Sequence, residues 1–551
     1  MEGLIFVAGI VFLIWLLSRS KGTSKSDAPK KEEIELTPEF VHVLSLLNDT
    51  NESVFITGKA GTGKSSLLRY FISNTRKKHV VLAPTGIAAL NVSGQTIHSF
   101  FRFPPAIIDE NQIRPDYVRA DLFENLEMII IDEVSMVRSD LMNGVDLALR
   151  KNRNRLTESF GGVQMVFIGD LFQLPPVVTS QDRNHIINNF GGGYFFDAPV
   201  FKTYKYHFKE LTRIFRQSKE QVQFKNLLNN VRINAAQFED MKLLNSRHKD
   251  NAGPGENAIF LTSIRDIAKN INADKLDLIQ SPLHTFEGML SGKYRNLTTQ
   301  NEDQLDNKLP APYKLKLKVG AQIMMLKNDS GRRWANGSIG KVVKLSEDGI
   351  SVRINSNTYK VEKEVWKEVE YVLNSETDQI ESKTSGTFTQ YPIQLAFAMT
   401  IHKSQGKTFD KITVDIGAGA FAHGQIYVAL SRCRTFEGIT LNNPINDNDI
   451  IVDPRVVQYY KDRSIVRQTV QLPRKLTREA LLKAISNNET IVIDYQNFNG
   501  ELTKRKISNI QITNKYKSQG YTNEHIVAYC HLREEERNFK IDRIISIEIE
   551  K

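Results

Sequence analysis

Residues 58–66, with the sequence GKAGTGKSS, decide the fold of this chain. The apolar run 54–57 (VFIT) precedes them and predicts a short buried strand, and residues 67–72 (LLRYFI) predict a helix. In this strand–loop–helix context the pattern G-x-x-x-x-G-K-[ST] predicts a loop whose backbone N–H groups enclose phosphate oxygens at a helix N-terminus. The alternative, a glycine-rich turn that binds nothing, is disfavoured because Lys64 and Ser65 both follow the strand.

The residue types of this loop suit the chemistry of a bound triphosphate. Its glycines allow the tight backbone path, Lys64 reaches the outer phosphates, and Ser65 ligates Mg²⁺. We therefore predict a nucleotide-binding loop made by Gly58, Gly61, Thr62, Gly63, Lys64, Ser65 and Ser66.

Length and composition indicate a multidomain protein in a reducing compartment. A chain of 551 residues exceeds what one core supports, so roughly three or four domains are expected. The formal net charge of +10 suits a polyanionic partner, although the charge is spread over a long chain. The only two cysteines, Cys433 and Cys530, argue against a disulfide framework and against a cysteine metal site.

The N-terminal residues predict a membrane anchor followed by a flexible linker. Residues 4–17 (LIFVAGIVFLIWLL) are almost entirely apolar, but a helix of that length spans only about 21 Å of a hydrocarbon core of roughly 30 Å. With snorkelling by Arg19, residues 1–18 could still cross a bilayer. A secretory signal and a buried core helix are the rival interpretations. The basic linker 19–34 predicts a single-pass membrane protein whose remaining domains are cytoplasmic.

Two further apolar strands end in polar residues that suit nucleotide hydrolysis. The run 128–131 (MIII) predicts a strand buried on both faces of a parallel sheet, and Asp132 and Glu133 follow at its carboxyl end, where such sheets bind ligands. Asp132 is the expected Mg²⁺ ligand, and Glu133 is the expected base for the attacking water. The strand 166–170 (VFIGD) leads to Gln173, an amide that can sense a γ-phosphate or a water.

The chain carries a long series of motifs in a fixed order. They are GKAGTGKS, APTGIAAL, IIIDEVSMV, GDLFQLPPV, LTRIFRQ, LTSIRDIAKNIN, LKVGAQIMMLKND, WANGSIGKVV, YPIQLAFAMTIHKSQGKTFDKI and GQIYVALSRCR. In this order they resemble the superfamily 1B DNA helicases of the petite-integration-frequency (Pif-type, RecD-like) family, over residues 35–450.

The resemblance implies an α/β fold with two RecA-like P-loop domains, residues 35–210 and 211–454, and ATP with Mg²⁺ in the cleft between them. It implies an ATP hydrolase that moves 5′ to 3′ along single-stranded DNA and unwinds forked duplex DNA as a monomer. The family serves genome maintenance, in replication, repair, recombination and telomere maintenance.

The resemblance also assigns roles to individual residues. Carried over motif by motif, the catalytic set is Lys64, Glu133, Gln173, Arg216 and Arg432. Two further residues, Gln405 and Gly406, match the motif that links nucleotide to DNA. The DNA track would be lined by segments that contain Thr85, Gly86, His98, His402 and Lys403. Without the resemblance, Arg216 would be interpreted as one partner of a surface ion pair and His98 as a structural histidine.

Phe40 departs from the family pattern. The family has a glutamine at this place in the first helix, where it reads the adenine base, and this chain has Phe40. A phenylalanine can stack on adenine and so belongs to the predicted nucleotide site, but it cannot read the edge of a base. Hydrolysis of other nucleoside triphosphates is therefore expected.

The remaining segments predict smaller modules. By resemblance, residues 99–125 form a wedge near the duplex fork, and residues 339–386 form a small β-barrel inserted in the second domain. Residues 455–475 are basic and predict a linker. Residues 476–551 resemble a WYL domain, a β-rich module for which we predict binding of single-stranded DNA or a nucleotide. A structural cap on the core is the alternative.

The sequence is also compatible with two other classes of function. One is a membrane-tethered nucleic-acid binder whose nucleotide site controls affinity without strand separation. Another is an RNA-directed motor, since no residue distinguishes RNA from DNA.

Overall fold

The computed structural model describes residues 35–215, 221–250, 252–253, 255, 257–297, 301–346, 349–417, 419–466, 481–482, 484–496, 502–513 and 525–549. Arg216 lies outside these residues, as do residues 1–34 with the predicted anchor and most of the predicted linker.

The first domain is built on one parallel sheet. Its strands are β1 Val54–Gly58, β2 His79–Ala83, β3 Gln95–Thr96, β4 Met128–Ile131, β5 Gln164–Ile168 and β6 His207–Leu211. They lie in the order β3-β2-β4-β5-β1-β6, and every pair is parallel. All residues of β1, β4 and β5 are buried, as the continuous apolar runs predict.

Helices cover this sheet and connect its strands. They are α1 Pro38–Asp49, α2 Lys64–Asn74, α3 Gly86–Asn91, α4 Ile97–Phe101, α5 Ala120–Asn125, α6 Ser139–Asn152 and α7 Arg183–Phe190. Helix α1 begins where the Thr37 hydroxyl accepts a hydrogen bond from the Phe40 N–H, and Pro38 occupies its first turn. Helix α2 begins directly at Lys64, so the nucleotide-binding loop opens onto its N-terminus.

A second parallel sheet forms the other α/β domain. The strands that follow β6 in the core are β7 Ile259–Thr262, β8 His284–Glu287, β9 Met289–Gly292, β10 Lys314–Leu317, β11 Gln322–Met325, β12 Ile339–Ser346, β13 Gly349–Ile354, β14 Asn357–Val361, β15 Glu364–Asn374, β16 Gln379–Gln390, β17 Ile393–Leu395, β18 Ala398–Thr400, β19 Ile412–Asp415 and β20 Ile439–Leu441. Four of them make the parallel sheet β18-β7-β19-β20. The accompanying helices are α8 Val222–Arg232, α9 Phe238–Asn245, α10 Arg265–Asp277, α11 Glu302–Lys308, α12 Ile401–Ser404 and α13 Gln425–Leu430. The predicted two-domain α/β architecture is thus confirmed.

Strands of the predicted insert, residues 339–386, pair with strands on both sides of that range. Strands β12, β13 and β14 form a sheet with β11 and β17, and β16 pairs with β15 and β9. The long hairpin β15–β16 reaches the first domain, where the Tyr371 hydroxyl accepts a hydrogen bond of 3.1 Å from the Val81 N–H. An ion pair of 2.7 Å between Lys78 and Asp378 adds a second contact.

A helix occupies the start of the predicted linker. Helix α14 Pro454–Val466 packs on the first domain, with Tyr459 and Tyr460 turned towards it. The Tyr459 hydroxyl bonds the Tyr206 hydroxyl at 2.6 Å, and the Tyr460 hydroxyl bonds Thr57, next to the nucleotide-binding loop. The basic residues suggested a linker, but two of them also contact the first domain: Arg463 donates to the Tyr206 hydroxyl at 2.7 Å, and Arg455 pairs with Asp197 at 3.3 Å.

The C-terminal region is β-rich, as predicted. Its strands are β21 Ile491–Gln496, β22 Leu502–Thr513, β23 His525–Cys530, β24 Glu535–Lys540 and β25 Ile544–Ile549. They form one antiparallel sheet in the order β24-β23-β22-β21-β25 around a separate apolar core.

The prediction of a single-pass membrane protein is wrong. Within the part of the chain that the structure describes, no helix has the length and apolar character needed to cross a bilayer. Length is the physical difficulty, since residues 4–17 as a helix would span only about 21 Å of a core of roughly 30 Å.

Candidate nucleotide site

The loop after β1 has the backbone path that its glycines predict. Gly63 has φ of +85° and sits directly before α2, a conformation that residues with a side chain rarely adopt. At Gly58 an added Cβ would lie 2.6 Å from the Leu211 carbonyl oxygen, so the loop also needs glycine for close packing against β6. Ser65 is exposed at the mouth of the loop.

Lys64 lies over the loop that precedes it. Its ammonium donates to the carbonyl oxygens of Gly58 at 2.7 Å and Lys59 at 3.2 Å. Burial lowers the pKa of Lys64, while the charges of Asp170 and Glu133 oppose that shift. The Lys64 ammonium therefore lies near acidic side chains, and the oxygens of a bound phosphate could replace the Gly58 and Lys59 carbonyls as its hydrogen-bond acceptors.

Two acids follow β4, as predicted. Asp132 is buried, and this burial raises its pKa. Burial, and next the charge of Asp132, raise the pKa of Glu133 to about 7. Glu133 also has φ of +51°, a left-handed backbone that turns its carboxylate into the cleft at an energetic cost of about 1 to 3 kcal/mol.

The two acids suit a magnesium ion. In the described residues no group of three or more His, Cys, Asp and Glu side chains could hold a metal by itself. Mg²⁺ at phosphate sites is held by one or two protein oxygens together with phosphate oxygens, and the carboxylate of Asp132 and the hydroxyl of Ser65 are hard donors of this kind. The donor set therefore fits the ion.

A buried polar network lies under the loop. Asp170 accepts from the Arg232 guanidinium at 3.1 Å and from the Gln173 amide at 3.3 Å. Arg232 and Lys64 lower the pKa of Asp170 against the opposing effect of its burial. The Tyr427 hydroxyl accepts from the Ala60 N–H at 2.9 Å and donates to Asp170 at 3.4 Å. The network thus fixes Gln173 and the loop together.

Sequence reasoning missed three members of this network, Asp170, Arg232 and Tyr427. Asp170 stands in the quoted motif GDLFQLPPV, and Tyr427 in GQIYVALSRCR, so the motifs themselves carried a signal. Arg232 lies at the end of α8 with no motif around it, and only its burial beside Asp170 reveals it.

Gln405 joins the two domains across the cleft. Its side-chain amide donates to the Glu133 carboxylate at 3.4 Å and to the Gln173 carbonyl at 3.2 Å. These three predicted residues come from three separate motifs and meet at one point. Gly406 follows and is exposed.

Arg432 lies in the second domain, close to this point. Its guanidinium is buried and donates to the Val428 carbonyl at 2.9 Å, the Ser431 hydroxyl at 2.8 Å and, at 3.5 Å, to the carbonyl of Ser404, which precedes Gln405. Its charge acts on Glu133 and favours the ionised carboxylate.

Phe40 lies beside Gly63 of the nucleotide-binding loop. Its ring is 3% exposed and packs against Phe215, whose ring is 42% exposed. Phe40 therefore supports Phe215 from below, and Phe215 presents the accessible aromatic surface beside the loop.

The predicted DNA-track residues lie at the carboxyl ends of strands in both domains. Thr85 follows β2, and Thr400 is the last residue of β18; their hydroxyls cap the short helices α3 and α12. Gly86 and Lys403 are exposed in these helices. The other two predicted residues, His98 and His402, are half-buried, and burial lowers the pKa of both.

A P-loop and two acids in one parallel-sheet domain face a glutamine and an arginine from a second such domain. This arrangement defines a nucleoside triphosphate hydrolase with its site between two α/β domains. A PIF1-like helicase model matches residues 38–242, and a model of the 2B domain of the DNA helicase Pif1 matches residues 302–345. Two further models match, a helicase model over residues 361–461 and a WYL domain model over residues 477–549.

Individual relatives agree with these matches. The ATP-dependent DNA helicase Pif1 of Bdellovibrio bacteriovorus is 35% identical over 441 residues, which are 78% of this chain and 92% of that protein. The structure of a Bacteroides Pif1 with ADP-AlF4 superimposes with a TM-score of 0.72 at 37% identity, covering 78% of this chain and 98% of the other. The same Bacteroides protein bound to single-stranded DNA gives 0.56 at 37% identity, covering 78% and 97%.

The chain belongs to the PIF1-like helicase family, and it is an ATP-dependent DNA helicase with a C-terminal WYL domain.

Proposed function

We propose that this helicase moves 5′ to 3′ along single-stranded DNA as a monomer and separates duplex DNA at a fork in genome maintenance. One observation carries the proposal, namely the contact of Gln405 with both Glu133 and Gln173 across the cleft. A side chain that touches the water-activating acid and the phosphate sensor from the opposite domain can couple hydrolysis to relative movement of the domains.

The catalytic roles follow from position. Lys64 binds the outer phosphates, and Glu133 accepts the proton of the attacking water. Gln173 orients that water or the γ-phosphate. Arg432 stabilises the negative charge of the transition state with a fixed guanidinium fork, and Arg216 is proposed for the same role from the family motif.

The metal site is proposed at Asp132 and Ser65. When bound, Mg²⁺ neutralises phosphate charge and helps to orient the triphosphate. Burial raises the pKa of Asp132, and a divalent cation beside it would oppose that effect by favouring the ionised carboxylate.

The DNA side of the proposal rests on exposed groups at the strand ends and on the DNA-bound Bacteroides relative. Gly86 at the start of α3 and Lys403 within α12 are exposed and suit contacts with a phosphate backbone. We further propose domain boundaries close to those expected from the sequence, with α14 added to the core and the insert extended on both sides.

The wedge is proposed to act through its tip. Tyr117 and Val118 are 83% and 85% exposed, whereas the residues beside them are fixed. Asp116 pairs with Arg119 at 2.7 Å, and the Arg119 guanidinium lies 5.5 Å from the centre of the Phe100 ring. Exposed apolar side chains on a rigid support can pack against the last base pair of a fork.

The C-terminal domain is proposed to bind single-stranded DNA or a nucleotide. Strand β22 carries three consecutive basic residues, Lys504, Arg505 and Lys506, which suit a polyanionic ligand. If removal of residues 476–551 changes neither DNA affinity nor the rate of ATP hydrolysis, the domain is a structural cap instead.

A strand-displacement assay tests the proposed function. Duplexes with a 5′ tail, with a 3′ tail and with an RNA tracking strand are incubated with ATP and Mg²⁺. We expect displacement from the 5′-tailed DNA fork only, and a selective loss of displacement over ATP hydrolysis in the double variant Tyr117→Ala, Val118→Ala. Nucleotide-dependent binding without displacement would instead support a nucleic-acid clamp, and preference for the RNA strand would support an RNA-directed motor.

A further inference from the structure

Two phenylalanine rings border the nucleotide-binding loop where α2 begins. A Cβ placed on Gly63 would lie 3.0 Å from the Phe40 ring and 3.5 Å from the Phe215 ring. The two ring centroids are 6.2 Å apart and the planes are tilted by 47°. The opposite end of the loop has different surroundings, because Ala60 is bonded there to Tyr427 of the second domain. We call the surface formed by Phe40, Phe215, Thr37, Glu39 and Arg213 the base corner.

The exposed ring in the base corner is held firmly. The Phe215 N–H donates to the Gly61 carbonyl oxygen at 2.8 Å, which ties the ring to the loop itself. The Thr212 N–H donates to the Glu39 carboxylate at 3.0 Å, which ties the same segment to α1. A fixed aromatic face with 42% of its surface exposed is a platform on which any nucleobase can stack, because every base has a π-face.

The polar groups of the base corner are already engaged with one another. The Thr37 hydroxyl accepts from the Phe40 N–H, and both Glu39 oxygens accept from Thr212, one from its N–H and one from its hydroxyl. Arg213 is paired with Glu35 and lies over the Phe215 ring at 4.9 Å from its centre. The described side chains of this corner include no carboxamide, the group that can accept from the adenine N6 amino group and donate to N7 at the same time.

We propose that the base corner holds the nucleotide by stacking on Phe215 and does not read the base, so that this helicase uses ATP and GTP with similar efficiency. The proposal rests on the proposed roles of the phosphate-binding residues. Phe40 sets this behaviour in two ways, since it supports Phe215 by packing and leaves the corner without an amide. Stacking alone favours purines modestly over pyrimidines, because the larger ring system overlaps more of the platform.

The test compares kcat/KM for ATP, GTP and CTP in the full chain with saturating single-stranded DNA. For the unmodified protein we expect ATP and GTP to agree within about threefold, with CTP lower. Phe215→Ala should raise KM for all three nucleotides by about 5- to 100-fold, from the loss of one stacking interaction, with kcat largely kept. The matched control is Phe238→Ala, which removes a 77% exposed phenylalanine at the start of α9 and should leave KM unchanged.

Phe40→Gln is the complementary variant. A new amide in the base corner should raise the ATP to GTP ratio of kcat/KM by about tenfold, the value of one well-placed hydrogen bond. A preference of the unmodified protein for ATP over GTP of more than about 100-fold would overturn the proposal, as would an unchanged KM in Phe215→Ala. These two results would overturn only the proposal about the nucleobase and would leave the proposed helicase function intact. Absence of hydrolysis with every nucleotide would instead overturn the proposed function, and the base proposal with it.

Discussion

The two ends of the nucleotide site are built in opposite ways. The end that faces the triphosphate is polar, buried and densely bonded, with Lys64, Glu133 and Gln173 held by partners from both domains. The end at the base corner is aromatic, and its polar groups bond one another. The chain therefore concentrates its specific interactions on the part of the nucleotide where charge develops during hydrolysis, and binds the rest by stacking.

Because of this difference, nucleotide selectivity and turnover depend on separate groups in the cleft. Changes at the phosphate end should affect every nucleoside triphosphate by the same factor, because all of them carry the same phosphates. Changes at the base corner should alter the ratio between nucleotides. Measuring hydrolysis of both ATP and GTP therefore separates effects at the two ends of the site.

The largest effect is expected from Lys64→Ala. Loss of the ammonium that binds the outer phosphates should lower hydrolysis by about 10³-fold or more for ATP and GTP alike, and strand displacement should disappear. Steady-state hydrolysis with single-stranded DNA measures this. The control Lys411→Ala removes an exposed lysine before β19 and should retain the activity. A loss restricted to one of the two nucleotides would contradict the assignment of Lys64 to the phosphates that ATP and GTP share.

Glu133→Gln should have the next largest effect. The amide keeps the shape and the contact with Gln405 but cannot accept a proton, so kcat should fall about 10²- to 10⁴-fold while nucleotide binding persists. Hydrolysis rates, together with equilibrium binding of a fluorescent ATP analogue, separate the two effects. If kcat stays within about threefold of the original, Glu133 is not the base.

The pH dependence should reflect the same carboxylate. Burial and Asp132 raise the pKa of Glu133 to about 7, and only its ionised form accepts a proton from water. We therefore expect kcat/KM to rise about tenfold per unit below pH 7 and to level off above it, with superimposable curves for ATP and GTP. Glu133→Gln should lose this rise. A profile that is flat from about pH 6 to about pH 8 in the unmodified protein would be inconsistent with the assignment.

The smallest effect is expected from Tyr460→Phe. This change removes the hydrogen bond between α14 and Thr57 beneath the phosphate end, so β1 should open more easily by about 0.5 to 1.5 kcal/mol, with the ATP to GTP ratio unchanged. Hydrogen exchange of the β1 amides measures the opening. Tyr70→Phe on α2 is the control and should leave this exchange as it is. Unchanged protection in Tyr460→Phe would mean that α14 does not stabilise the loop.

Much of the phosphate end could be predicted from the sequence, because its chemistry is local. The loop 58–66 and the pair Asp132 and Glu133 each lie within one short motif next to an apolar strand. The contact of Gln405 with Glu133 spans 272 residues, so no spacing rule could give it. Only the resemblance brought Gln405 into the site.

The rest depended on packing. Arg232 sits in an ordinary helix, and burial beside Asp170 makes it part of the site. The left-handed backbone of Glu133 has no sequence signal, since such a conformation is rare outside glycine, asparagine and aspartate. Phe40 was predicted to contact the base, but it is covered by Phe215, a neighbour distant in sequence. Helix α14 was not predicted because its polar composition suggested a linker, although two of its tyrosines contact the first domain.

Coupling between the two domains is tested by the rate of ATP hydrolysis with and without single-stranded DNA. If Gln405 links the hydrolytic groups of one domain to the DNA-facing segment of the other, DNA should raise kcat by roughly tenfold or more, and Gln405→Ala should abolish that increase. Equal rates with and without DNA in the unmodified protein would contradict a cleft that couples nucleotide turnover to movement along the strand.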